Sequence, residues 1–204
     1  MVKNRLQSIG VRSINNIVDI TNYILHETGQ PLHAFDAHQI KDATVVVKKY
    51  PAGTLFVTLD GTERKLTAND LMISDTEKPL CIAGVFGGIK SGVSESTTTI
   101  FLESAWFENI HVRKTSLLHG LRTDAATRFE KGVDIAGTVN VLERAAQMIQ
   151  ELAGGKCSEV VDMYPNPANK KTVVLTYAYL KKLSGKYYPT EKVKIILNPN
   201  FHFY

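Results

Sequence analysis

The chain has 204 residues and a mass of 22.6 kDa, with 44% hydrophobic, 22% charged and 8% aromatic residues, net charge +4 and mean hydropathy −0.09. This is ordinary globular usage: it excludes wholesale disorder, collagen and coiled coil, and no apolar run approaches the ~18 residues that cross a bilayer. Two distant cysteines, Cys81 and Cys157, exclude a disulfide scaffold and a zinc ribbon. With no apolar leader after Met1, they read as reduced thiols of a cytoplasmic protein that makes no membrane contact.

The first predicted element is a helix. Ile14, Ile17, Val18, Thr21, Ile24 and Leu25 recur at i, i+3, i+4 and i+7, with Ser13 as the expected cap and Gly29 followed by Pro31 as the stop. Residues 29–36 then read as a rigid turn. Short strands are predicted at 45–47 and 55–59, with a turn at Asp60-Gly61 and a return through Leu66. More follow at 71–73, 80–83 and 99–102. Helices take over at 107–118, 124–131 and 135–152, each stopped by glycine. The last carries Val139, Leu142, Ala146, Ile149 and Leu152 on one side. A strand is expected at 159–163, and Pro165-Asn166-Pro167 has the composition of a linker.

This order predicts an α+β fold of β-rich, layered sheets flanked by helices over residues 1–164, followed by a second fragment at 165–204. That fragment holds seven lysines against Glu191, a balance of +6, so the first 164 residues sum to −2. Such a tail suits nucleic acid or a plain solvated surface. Its apolar patterning at 173–175, 179–183 and 193–197 has no room for a core of its own, so the chain is expected to end inside a longer one.

Several familiar chemistries find no support. No G-x-G-x-x-G opens a helix, and neither a phosphate-binding G-x-x-x-x-G-K-[ST] nor a G-x-S-x-G is present. His26, His33 and His38 cluster without a matching carboxylate set, so no metal site is expected. Four other stretches are unusual for a scaffold. Gly29 to Asp36 presents His33 beside an aromatic. Ala83 to Gly88 flanks Phe86 with glycines, which let a ligand approach backbone closely or simply make tight turns. Phe101 to Phe107 embeds Glu103 in an apolar run, where a carboxylate must face out or find a partner. Strand alternation sets Glu103 on the side of Phe101 and opposite Leu102. The fourth is His119 to Glu130, where Thr123 or Asp124 reads as a helix cap. Taken singly, each also fits an ordinary structural role.

Together, and joined by Arg12 to Asn16 and Asp19 to Tyr23, these motifs stand in the order and spacing of a known family. Residues 1–160 closely resemble the editing module of bacterial phenylalanyl-tRNA synthetase β subunits. The basic tail is similar to the opening of the next β-subunit module, although Asn198 to Phe201 departs from the usual Gly-Phe ending. The resemblance implies a site that hydrolyses tyrosine wrongly esterified to the terminal adenosine of the phenylalanine tRNA. Glu103 would accept the tyrosyl hydroxyl. Pro31 and Gly87 would shape the pocket, and Thr123 and Ala125 would line it. His33 would orient the attacking water or the adenosine, and Arg12 would anchor the tRNA end. Phe101 and Trp106 are further expected to wall the ring. No nucleophile–base pair is evident, so direct attack by water is favoured, with His33, Glu103 and Thr123 as the catalytic set.

The same resemblance implies no cofactor in this chain. ATP and Mg²⁺ would serve the parent ligase, whose aminoacylation belongs to an α subunit in an α2β2 assembly. The competing reading is a non-catalytic RNA-binding or subunit-assembly module.

Overall fold

The computed structural model describes residues 1–167 and 172–197. Lys170, Lys171 and the 198–201 ending lie outside the described residues. Two compact units divide the chain, Met1–Asp162 and Met163–Tyr204. The fold is α+β, and its paired strands are all antiparallel.

The first unit opens with helix α1 (Val2–Ser8), which the sequence reading missed. Helix α2 (Asn16–Thr28) follows, capped by Asn15, whose side chain accepts from Val18 N–H. Ser13 is therefore not the cap. Its hydroxyl is committed to Asp19. Gly29 ends the helix at φ 81°, as its position predicted.

What reads as a rigid turn after Gly29 is strand β1 (Leu32–Asp36), paired with β8 (Ile100–Ser104). A four-stranded sheet runs β2 (Val46–Lys49), β5 (Leu71–Ser74), β6 (Pro79–Ile82), β7 (Phe86–Gly87), and a hairpin joins β3 (Leu55–Val57) to β4 (Glu63–Lys65). Three further helices close the unit: α3 (Asn109–His119), α4 (Asp124–Lys131) and α5 (Thr138–Ala153). The α5 face that meets the core is Val141, Ala145, Met148 and Ile149, with Leu152 left exposed, so the packed stripe is rotated from the predicted one. Residues 159–163 form no strand. They have β-type side chains but no ladder partner, and an unpaired apolar run cannot become a strand by composition alone.

The β1–β8 ribbon separates two interiors. Register pairs His33 with Glu103 and Phe35 with Phe101 on one face, and Leu32 with Ser104 and Ala34 with Leu102 on the other. Leu32 and Leu102 pack on the small core of Ile20, Ile24, Ala145 and Met148 between α2 and α5. Phe35 belongs to the larger core with Phe56, Leu66, Met72, Ile82 and Phe129.

The second unit contains α6 (Tyr177–Ser184), capped by the Thr176 hydroxyl and stopped at Gly185, and α7 (Thr190–Leu197). Residues 173–175 form neither helix nor strand. Val173, Val174, Leu183 and Ile195 are more than 70% exposed. No helix among the described residues is long and apolar enough to cross a membrane.

Candidate functional site

A cavity of about 590 Å³ opens in the first unit, within the 300–1,000 Å³ range of small-molecule sites. The β1–β8 ribbon supplies Pro31, His33 and Glu103. The 84–87 turn supplies Gly87, the start of α4 supplies Thr123 and Ala125, and α2 adds Val18, Thr21 and Asn22. Arg12, Phe101 and Trp106 are not among its lining residues. The expectation that Phe101 and Trp106 wall the ring is therefore corrected. Phe101 packs at a tilt against Phe35, with ring centroids 6.0 Å apart, and Trp106 stands 44% exposed.

His33 and Glu103 are cross-strand partners, so strand pairing aims both side chains at the same space. His33 packs edge-on against Phe35, with ring centroids 4.3 Å apart. His33 Nε2 and Glu103 Oε2 are both sealed from solvent, and neither has a hydrogen-bond partner among the described residues. Buried polar atoms are normally paired, so two such atoms facing one cavity mark a place where a ligand or water completes the bonding. The other sealed, unpartnered side-chain atoms, on Gln30, Tyr50 and Ser74, belong to residues outside the lining.

Burial sets the charge of this pair. It lowers the His33 pKa from 6.5 to about 4 and raises that of Glu103 from 4.5 to about 8. At neutral pH the cavity therefore presents a neutral imidazole and a largely protonated carboxyl, where sequence reasoning had assumed a charged acceptor. Cys81 also lines the cavity. Burial, and then the nearby Glu103 charge, pushes its thiol pKa up, so it stays a protonated, apolar wall.

Local structure explains why these residues converge. A Cβ on Gly87 would lie 2.9 Å from both His33 Cε1 and Leu59 Cδ1, so only glycine leaves room for the imidazole. Gly84 takes φ +68°, and a Cβ there would meet Phe107 Cδ2 at 2.8 Å. Thr123 caps α4: its hydroxyl accepts from Ala126 N–H at 3.0 Å and donates to Val85 O at 2.8 Å. One hydroxyl thus ties the helix start to the turn that carries Gly87, and Ala125 enters the lining from the first turn of that helix. Gln30, which sequence reasoning passed over, donates Nε2 to Pro31 O and to Ala105 O, bracing the start of β1 against the residue after β8. The α2 residues were also missed. They lie one helical step off the face that meets α5, and no periodicity rule separates a cavity wall from a core.

Among the described residues, no group of three or more His, Cys, Asp or Glu side chains is placed to hold a metal ion. The arrangement offers an apolar slot for a ring, a carboxyl able to bond a hydroxyl, and an imidazole nitrogen able to hold water.

Residues 1–154 match the B3/4 domain family, and the chain belongs to it. Among curated proteins it is similar to the phenylalanine–tRNA ligase beta subunit of Bacteroides fragilis, at 54% identity over 197 residues and 96% of this chain. The beta subunits of Porphyromonas gingivalis and Bdellovibrio bacteriovorus are 53% and 48% identical over 97% and 96% of it. The chain spans about a quarter of the length of these relatives, 24% in each case.

Proposed function

We propose that this cavity is an editing site that removes tyrosine from the terminal adenosine of the phenylalanine tRNA by hydrolysis. The observation that carries the reading is the sealed His33–Glu103 pair, with Nε2 and Oε2 unpartnered toward one apolar-walled cavity. The relatives' name supplies the context: a ligase whose substrate is phenylalanine faces tyrosine as its near-isostere. An apolar pocket rejects an added hydroxyl by only about 10². A second site that bonds the hydroxyl discriminates far better, because its polar partner stays unpaired when phenylalanine enters.

In this reading Glu103 bonds the phenolic hydroxyl, and Gly87, Pro31 and Ala125 bound the ring. His33, neutral at physiological pH, holds water at Nε2 for attack on the ester carbonyl. Thr123 keeps the α4 start and the Gly87 turn in register. The products are tyrosine and a tRNA with its ribose hydroxyl restored, and the reaction draws on no cofactor from this chain. The working assembly is the cytoplasmic ligase, with an α subunit performing ATP- and Mg²⁺-dependent charging.

The test compares hydrolysis of tyrosyl- and phenylalanyl-tRNA by the full-length parent protein with Glu103→Ala and Glu103→Gln. Losing a hydrogen bond to a carboxyl that is largely neutral costs about 0.5–1.5 kcal/mol, or about two- to tenfold in rate. Glu103→Ala should lose the tyrosine preference by that factor, and Glu103→Gln, which can still bond, should lose less. An undiminished preference in folded Glu103→Ala overturns the assignment. Tight tRNA binding without hydrolysis by the parent protein would favour a non-catalytic RNA-binding module instead.

A further inference from the structure

Residues 9–15 join α1 to α2 outside any helix or strand. Ile14 lines the cavity and is nevertheless 66% exposed, so this loop forms part of the cavity rim. Asp19 holds it there. That residue lies in the first turns of α2, is buried, and directs both carboxylate oxygens backward along the chain. Oδ1 accepts from Ile14 N–H at 2.8 Å, and Oδ2 accepts the Ser13 hydroxyl.

These bonds are more than a helix cap. In a capping box, the side chain at the third helical position reaches back to the cap residue. Here Asn15 is the cap and serves Val18 N–H itself. Asp19 stands one position further into the helix and reaches past the cap to residues 13 and 14. It satisfies the loop rather than the helix. Immediately before these pinned residues stands Arg12, which is exposed and forms no ion pair among the described residues. A fixed rim beside an uncommitted guanidinium is suited to the phosphates of an RNA end, which arginine bonds with two parallel donors.

We propose that Asp19 is a positioning residue for the site: by pinning residues 13 and 14 it holds the rim and the adjoining Arg12 where the acceptor end of an aminoacylated RNA seats. This inference rests on the editing reading above and adds to it the part of the chain that receives the RNA.

The test uses the full-length parent protein with Asp19→Ala, Asp19→Asn and Ser13→Ala. Asp19→Ala should raise KM for tyrosyl-tRNA about tenfold with kcat within about threefold, because a lost seating contact weakens binding without touching the chemistry. Hydrogen exchange at the Ile14 amide should accelerate in parallel. Asp19→Asn can accept from Ile14 through Oδ1 and donate to Ser13 Oγ, so it should stay within about threefold of the parent. Ser13→Ala, which loses one of the two bonds, should raise KM about threefold.

An unchanged KM in folded Asp19→Ala, or an Asn variant as impaired as the Ala variant, overturns the proposal. Should Asp19→Ala fail to fold, Ser13→Ala decides, and unchanged KM and Ile14 exchange would then overturn it. A parent protein that does not hydrolyse tyrosyl-tRNA defeats the editing reading instead. The rim proposal is then judged by affinity for an uncharged acceptor-stem RNA, which Asp19→Ala should weaken about tenfold. Equal affinity overturns it.

Discussion

On one face of the β1–β8 ribbon, Leu32 and Leu102 pack onto Ile20, Ile24, Ala145 and Met148, and Ser104 donates its hydroxyl to Thr138 O at 2.7 Å. On the other face, His33 and Glu103 stand side by side with Nε2 and Oε2 unpartnered. The two faces are made by alternate residues of the same two strands. The first has its apolar groups packed and its one hydroxyl bonded, as a stabilising interface requires. The second leaves polar atoms open, which costs stability and makes sense only where something else completes the bonding. A period of two therefore lets five-residue strands serve stability and recognition at once, without the two demands competing for one position.

Substitutions on either face should break this division in opposite ways. The largest effect is expected from Ala125→Trp at the cavity wall. It should fill the space facing His33 and Glu103 and reduce tyrosyl-tRNA hydrolysis more than about a hundredfold, a loss of about 3 kcal/mol in transition-state stabilisation or more. Thermal unfolding of the variant should match the parent. A folded variant with normal hydrolysis would remove Ala125 from the site.

On the packed face, Ile24→Ala deletes a fully buried side chain and should cost about 3 kcal/mol in denaturant unfolding. The tyrosine-over-phenylalanine preference of the folded fraction should stay within about threefold of the parent. A collapse of selectivity there would show that the two faces are not independent.

The open face should also leave a signature in stability against pH. Glu103 is protonated up to about 8 in the folded protein and up to about 4.5 when unfolded. Its contribution is thus complete below pH 4.5 and is lost as pH rises through 8. His33 runs the other way: its pKa falls from 6.5 to about 4 on burial, so its contribution is complete above pH 6.5 and is lost as pH drops through 4. Glu103→Gln should remove the first trend and gain about 2 kcal/mol over the parent at pH 8 relative to pH 4.5, each unit of pKa shift being worth at most about 1.4 kcal/mol. Unfolding curves at the two pH values measure this, and parallel parent and variant curves would contradict it. The smallest effect belongs to Ser104→Ala, which should lose about 1 kcal/mol of stability with its bond to Thr138 and leave hydrolysis unchanged.

Much of the frame is legible in the sequence. Gly29 and the apolar spacing before it announced α2, residues 124–131 were read as a helix to the residue, and the Asp60-Gly61 turn lies between β3 and β4 as its chemistry demands. These signals are local, since a cap, a left-handed glycine and a tight turn are decided within a few residues. Glu103 stood out for a local reason too, as a lone carboxylate in an apolar run.

Strand β1 was not legible. It is buried on both faces, Leu32 toward α2 and α5 and Phe35 toward the large core, so the polar–apolar alternation that marks a half-exposed strand is absent. Residues 159–163 carry the complementary error, since strand-like composition means nothing without a neighbouring strand to bond. The sequence by itself determined where α2, α3, α4 and α5 stop, which residues are chemically out of place, and the family to which the motifs belong. Only the tertiary structure decided that His33 lies opposite Glu103 and that burial leaves both largely uncharged at neutral pH. Each of those facts depends on residues distant in sequence or on exclusion of water, and neither pairing nor desolvation can be read from spacing along a chain.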